Sequence, residues 1–200
     1  MGNTRTARVR IDGRTYSGEA LLETAELIFR GEKRLVIPFA KIETIDAAGG
    51  RLTINGDVVL ELGDDAAKWA DKIRNPKTVI QKLGVKAGQS VALVHLDDAA
   101  FAADLEKAGA LVTVGTPKKN SDAIFYGVSS RDELARLASL KASLAQNGAL
   151  WVIRPKGVKA ITEADTMAAG KAAGLVDVKV VKFSETHTAE KFVIRLVDRT

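Results

Sequence analysis

No cysteine occurs among the 200 residues, and only two histidines do. Disulfides and thiolate metal sites are thereby excluded, and His95 and His187 are too far apart in sequence to suggest a shared metal, so none is expected. No apolar run approaches the ~20 residues of a membrane span. The N-terminal MGNTRTARVRIDG spreads arginines through the stretch where a signal peptide needs an unbroken apolar core. A cytoplasmic protein without membrane insertion is expected. Gly2 with Thr6 matches the minimal myristoylation pattern, which reads as chance. Aromatic residues are 5% of the chain, and Phe and Trp fall mainly in buried patterns, which leaves few platforms for stacking bases. No Ser-His-Asp order, paired-carboxylate spacing or phosphate-cradling loop occurs, so no catalytic residue is assigned.

What is present is an ordinary globular composition, 46% hydrophobic and 28% charged, enough for one medium core or two small ones. The net charge of +5 is unevenly placed. Residues 1–76 carry 12 Lys+Arg against 12 Asp+Glu, and residues 77–200 carry 18 against 13. The whole excess therefore belongs to the second half, where it could attract a phosphate-bearing or acidic partner.

From Ala7 to Leu62 the pattern is short, period-two and punctuated by turns. Val9 and Ile11 alternate with Arg8 and Arg10 before Asp12-Gly13, a pair suited to a tight hairpin. Glu26 to Arg30 and Arg34 to Pro38 flank Gly31, Lys41 to Asp46 and Arg51 to Asn55 flank Gly49-Gly50, and Asn55-Gly56 leads into Val58 to Leu62. With Thr15 to Leu22 these make about seven strands, the spacing of a small antiparallel barrel or sandwich. Asp64 or Asp65 can then cap a helix whose apolar side reads Ala66, Trp69, Ala70, Ile73. Seven strands closed by one tryptophan-bearing helix resemble the pleckstrin-homology-like fold, including its GRAM-type variants. The resemblance implies phosphoinositide binding near the first hairpin, where Arg8, Arg10 and Arg14 fall. Against this, the domain is net neutral, and Arg8 and Arg10 take the outward positions of an amphipathic strand. Asn75-Pro76 marks the expected boundary between domains at 1–75 and 76–200.

The second half alternates strands and helices. Thr78 to Leu83 reads as a helix ended by Gly84, Val91 to Val94 as a strand buried on both faces, and Asp98 to Ala108 as the next helix. Leu111 to Val114 and Ala123 to Tyr126 are further strands. Ser130-x-x-Glu133 opens a helix predicted over Arg131 to Ala145, with Gly148 closing the turn before the strand Leu150 to Ile153. Thr162-x-x-Asp165 opens another helix, and Val178 to Phe183 with Phe192 to Leu196 form a terminal β-hairpin. The expected fold is thus an α+β N-terminal barrel, then an α/β Rossmann-like domain with a parallel, doubly wound sheet. The segment LASLKASLAQNGALWVIRP, with the helix, AAGL and final hairpin that come after it, resembles the latter half of a class I S-adenosylmethionine-dependent methyltransferase, in reduced form. The blocks KLGVKAGQSVALV, SDAIFYGVSSRDEL, GALWVIRPKG and AAGLVDVKVVKFSETHTAEKFVIRLVDR resemble the bacterial family called domain of unknown function 3052, over residues 77–199. That resemblance implies a methyltransferase-like fold and no established activity.

Cofactor binding on such sheets needs glycines after the first strand and an acidic side chain after the second. Here Leu96-Asp97-Asp98-Ala99-Ala100-Phe101 and Gly115-Thr116-Pro117-Lys118-Lys119 stand instead. Side chains from Leu96 to Phe101 are expected to occupy the cofactor's space, so no cofactor is expected. His95 reads as a core histidine and His187 as part of the final hairpin turn. Ligands of open parallel sheets bind at the strands' carboxyl ends. The candidate site there is Asp97 and Asp98, then Lys118 and Lys119, then Ser129 with Ser130 and Arg131, then Arg154, Lys156 and Lys159. Asp98 and Ser130 are also explained as helix caps, and the lysines as solvated loop residues.

The sequence favours a non-catalytic binding or adaptor protein acting on an unknown protein partner or anionic ligand. The alternatives are a divergent S-adenosylmethionine-dependent methyltransferase and an anion- or nucleic-acid-binding module. A homodimer could form through a barrel edge strand or the terminal hairpin.

Overall fold

A computed structural model gives the fold and describes residues 3–199; Gly2 lies outside them. The chain divides between Lys77 and Thr78 into two compact units. No helix among the described residues is long and apolar enough to cross a membrane.

The first unit contains β1 (Asn3–Ile11), β2 (Arg14–Leu22), β3 (Glu26–Gly31), β4 (Leu35–Pro38), β5 (Ile45–Ala48), β6 (Arg51–Ile54), β7 (Val58–Glu61) and α1 (Asp65–Arg74). Its strands form one sheet in the order β4-β3-β2-β1-β7-β6-β5, and every pairing is antiparallel. The expected hairpin signals act as read. Asp12 and Gly13, Gly49 and Gly50, and Asn55 and Gly56 each place two successive residues in the left-handed region, the geometry that matches the strands' twist. Inward side chains from β1, β2, β3, β4, β6 and β7 share one core, so the sheet curls into a half-barrel. Ala66, Trp69, Ala70 and Ile73 of α1 enter that core, as their spacing predicts.

Two details depart from the sequence reading. Asp64 precedes α1 without capping it through its side chain, whereas Asp65 holds Arg5 and Lys68. The strand expected from Lys41 begins only at Ile45, because Phe39–Lys41 makes a 3₁₀ turn and the Asn55 side chain occupies the intervening backbone. Its Oδ1 accepts from the N–H groups of Glu43 (2.8 Å) and Thr44 (3.2 Å), and its Nδ2 donates to the Lys41 carbonyl (3.0 Å).

The second unit contains α2 (Val79–Leu83), β8 (Ser90–Val94), α3 (Ala99–Lys107), β9 (Leu111–Val114), β10 (Ser121–Gly127), α4 (Leu137–Ala142), β11 (Leu144–Pro155), α5 (Glu163–Ala172), β12 (Leu175–Lys182) and β13 (His187–Ile194). The sheet order is β12-β13-β11-β10-β8-β9. The four strands β9, β8, β10 and β11 are parallel, and the terminal hairpin joins antiparallel. Apolar side chains of α2 and α3 cover one face. The Asp132–Arg136 3₁₀ turn, α4 and α5 cover the other. This is the expected doubly wound α/β layering. His187 opens β13 and does not sit in the turn.

The helix predicted over Arg131 to Ala145 is broken. The buried residues Leu134, Leu137 and Leu140 recur every three residues, a spacing that suits the 3₁₀ turn preceding α4. The chain then enters β11 at Leu144, well before the expected Leu150. Gly148 lies within that strand, not at a helix end, where the pairing with β10 shifts register. A Cβ there would stand 2.9 Å from the Ser121 carbonyl oxygen and 3.0 Å from those of Ala145 and Asp122.

Asn55→Gly preserves the left-handed turn while removing the side-chain stitch. It should cost ~1–3 kcal/mol in urea unfolding, the worth of a few mostly exposed hydrogen bonds. Asn55→Ala should cost more, since it adds left-handed strain.

Candidate functional site at the carboxyl edge of the parallel sheet

β8 lies between β9 and β10, and the chain leaves it first toward β9 and then crosses to β10. In an open parallel sheet this reversal leaves a crevice at the strands' carboxyl ends. The first residue beyond β8 is His95, which is exposed and has φ 48°. It is therefore not the core histidine expected from its apolar neighbours. Arg136 Nη1 lies 2.6 Å from His95 Nε2. Because a guanidinium can only donate, that nitrogen accepts, and the imidazole proton resides on Nδ1. The Tyr126 ring lies 5.6 Å from the His95 ring and 5.9 Å from the Arg136 guanidinium carbon. Its hydroxyl donates to the Glu133 carbonyl at 2.8 Å, and burial raises the phenol's pKa. Gly127, at the end of β10, admits the turn: a Cβ there would fall 2.2 Å from the His95 carbonyl oxygen.

In the segment after His95, expected to occupy the cofactor's space, two apolar side chains face the core. Leu96 and Phe101 pack into the core on the α2–α3 face, and Phe101 meets Phe125 and Phe183 edge-on at 5.1 and 4.9 Å. Asp98 caps α3 by accepting from the Phe101 N–H at 2.9 Å. Asp97, Ala99 and Ala100 are exposed.

The structure breaks up the predicted basic edge. Lys118 and Lys119 stand three and two residues before Ser121, the first residue of β10, so they lie at the amino edge. Ser121 Oγ donates to the Lys118 carbonyl there at 2.7 Å. Arg154 is buried, donating from Nε to Glu190 Oε1 at 2.6 Å, and the fully buried Glu190 also accepts from the Thr166 hydroxyl. It is a structural cation, not an anion receiver. Lys156 Nζ donates to the Ser184 carbonyl at 2.6 Å. Arg131 Nε lies 3.0 Å from Asp165 Oδ1 at the mouth of an alanine-lined groove of about 550 Å³. Glu133 Oε2 accepts from the N–H groups of Ser129 (2.5 Å) and Ser130 (3.0 Å), which hold its carboxyl below the usual range. Lys159 is exposed, without an ionic partner among the described residues.

Sequence reasoning thus missed His95, Tyr126, Glu133 and Arg136 as edge residues. His95 was legible as the residue leaving the strand that carries the reversal; Arg136 lay hidden in a segment read as continuous helix. No group of three His, Asp or Glu among the described residues could hold a metal.

The edge can be tested against the adenosyl cofactor that methyltransferase-like folds imply. At the turn after β8, where such folds place glycine, His95 takes the left-handed conformation usually left to glycine. The carboxylate expected after the second parallel strand is absent, since Gly115-Thr116 follows β9. An exposed carboxylate stands instead at Asp97, two residues past His95. The acid thus stands at the turn after β8 instead of the turn after β9.

Glu190→Gln removes the counter-charge of a buried guanidinium and should cost ~3–5 kcal/mol in urea unfolding, whereas Arg154→Met with Glu190→Leu should recover most of that loss. Asp165 is held at about 2, first by the Thr162 hydroxyl and backbone and then by Arg131. Its stabilisation is complete above the ordinary 3.8 and is lost as pH falls through about 2. Asp165→Asn should flatten the fall of Tm between those values; an unchanged acid limb would show that the contact contributes nothing.

No protein-family model matches the chain, and no curated protein matches it. Solved structures do. A SAM-dependent methyltransferase from Aquifex aeolicus is 15% identical with a TM-score of 0.51, covering 62% of this chain and 93% of that one. A TehB-like SAM-dependent methyltransferase from Corynebacterium glutamicum is 13% identical with a TM-score of 0.47, covering 65% and 96%. A SAM-dependent O-methyltransferase from Thermotoga maritima is 10% identical with a TM-score of 0.47, covering 95% and 93%. At such identity the likeness to the Aquifex aeolicus structure is one of fold alone, and it agrees with the Rossmann-like α/β sheet of the second unit.

Proposed function

We propose that the second unit is a divergent S-adenosylmethionine-binding domain whose ligand crevice lies at the carboxyl ends of β8 and β10. One observation carries the reading. At the sheet's reversal point the chain turns through a left-handed, solvent-exposed His95 and on to the exposed Asp97, while the bulky side chains of Leu96 and Phe101 turn into the core. The fold likeness to the Aquifex aeolicus enzyme supports the choice of ligand. When bound, S-adenosylmethionine supplies an electrophilic methyl group. Asp97 would accept from the ribose hydroxyls, and His95 Nδ1–H, fixed by the Arg136 contact, would donate to a ligand acceptor. No side chain here is assigned to methyl transfer.

A second reading, a non-catalytic binding protein acting on a protein partner, is favoured by Glu133. Its carboxylate already occupies the backbone N–H groups of Ser129 and Ser130, which an incoming anion would otherwise use. With the first reading go the assignment to the domain of unknown function 3052 family, a pleckstrin-homology-like identity for the first unit, and a cytoplasmic setting.

Isothermal titration with S-adenosylmethionine and S-adenosylhomocysteine separates the two. Micromolar binding weakened about tenfold by Asp97→Asn, a loss of ~1.4 kcal/mol, is expected of the first. Absence of heat with both compounds at millimolar concentration would sink it and leave the non-catalytic reading.

A further inference from the structure

On the outer face of the first unit's sheet, two rows of cross-strand neighbours lie side by side. In one, Arg8 of β1 stands opposite Glu61 of β7, which in turn stands opposite Arg51 of β6. In the next, Thr15 of β2, Arg10 of β1 and Val59 of β7 oppose one another in sequence. The side chains of these six residues line a cleft of about 110 Å³.

The charges in the cleft are unbalanced. Glu61 Oε2 is engaged by Arg8 through Nε (2.8 Å) and Nη2 (2.7 Å). Arg10 and Arg51 have no hydrogen-bond or ionic partner among the described residues. Three other carboxylates share this outer face, Glu19 opposite Thr6, Glu26 opposite Pro38 and Asp46 opposite Thr53, but none lines the cleft. Two uncompensated guanidiniums and the Thr15 hydroxyl therefore face a small common space, although Lys+Arg and Asp+Glu are equal in number over residues 1–76 as a whole.

Size decides what class of ligand suits it. Nucleotides and organic cofactors need ~300–1,000 Å³, so the cleft takes one oxyanion and not a whole cofactor. Guanidinium forks match the oxygens of phosphate, and a phosphomonoester carries roughly −1.5 to −2 at neutral pH, which balances two free arginines where a single carboxylate would not. We propose that this cleft binds a single phosphomonoester group. The site draws Arg51 from a hairpin distant in sequence and leaves out Arg14, so it is not the cluster that the first hairpin suggests. It is independent of the cofactor crevice of the second unit.

The test uses the full chain, with inorganic phosphate and O-phosphoserine followed by calorimetry, and phosphatidylcholine vesicles carrying a phosphatidylinositol monophosphate followed by co-sedimentation. Arg10→Ala and Arg51→Ala should each weaken binding about tenfold. Glu61→Gln, which frees Arg8, should tighten it several-fold. Arg14→Ala removes the same charge from outside the lining and should leave binding unchanged. All four substitutions are at solvent-accessible positions outside the core, and unchanged melting curves check that each variant folds. This pattern with the soluble phosphates identifies a free or protein-borne group, and the same pattern with vesicles alone identifies a lipid-borne one. Failure of every probe to bind, or equal weakening by Arg14→Ala and Arg10→Ala, overturns the proposal.

Discussion

Between Val114 and Ser121, six residues must return the chain from the carboxyl end of β9 to the amino end of β10, past β8. Parallel strands are ordinarily joined by a dozen or more residues, usually through a helix. Six extended residues reach only ~20 Å, enough for the return and nothing more. The second unit's departures from a larger α/β sheet follow from that shortness. β9 remains an edge strand, the α4–α5 face receives no helix from this connection, and Lys118 and Lys119 are carried to the amino edge. At the reversal between β8 and β10, His95 and Arg136 of neighbouring turns meet beside Tyr126.

Charge pairing determines what that edge can do. Read linearly, its lysines and arginines form a basic rim. In the fold, nearly every cation that reaches the rim is engaged from within the protein: Arg154 by Glu190, Arg131 by Asp165, and Lys156 by a backbone carbonyl. The Arg154–Glu190 pair ties β11 to β13 and, through Thr166, to α5. Burying it demands close geometry, because neither charge has water to fall back on. The unpaired guanidiniums that line a small cleft, Arg10 and Arg51, lie instead in the first unit, where composition alone shows neutrality between Lys+Arg and Asp+Glu.

How much was legible depended on the range over which each signal acts. The three left-handed hairpin turns, the Thr162 capping box, and the Trp69 face of α1 are set by residues within a few positions of one another, and each was readable. The helix expected over Arg131 to Ala145 failed because Leu134, Leu137 and Leu140 fit both an α and a 3₁₀ period, and the demand of β10 for a partner at Leu144 decided between them. His95 was misread because its apolar neighbours are in the strand while it stands just beyond the end.

The sequence by itself determined the order of elements, the change from period-two strands to alternating strands and helices, and the absence of cysteine chemistry, since these depend on composition and local spacing. Tertiary structure alone decided which charges are free. Glu61 meets Arg8 across 53 positions of sequence, and Glu190 meets Arg154 across 36. Such pairings follow from strand register and burial, which no local pattern encodes, and they separate a neutralised rim from an arginine cleft that still has charge to offer.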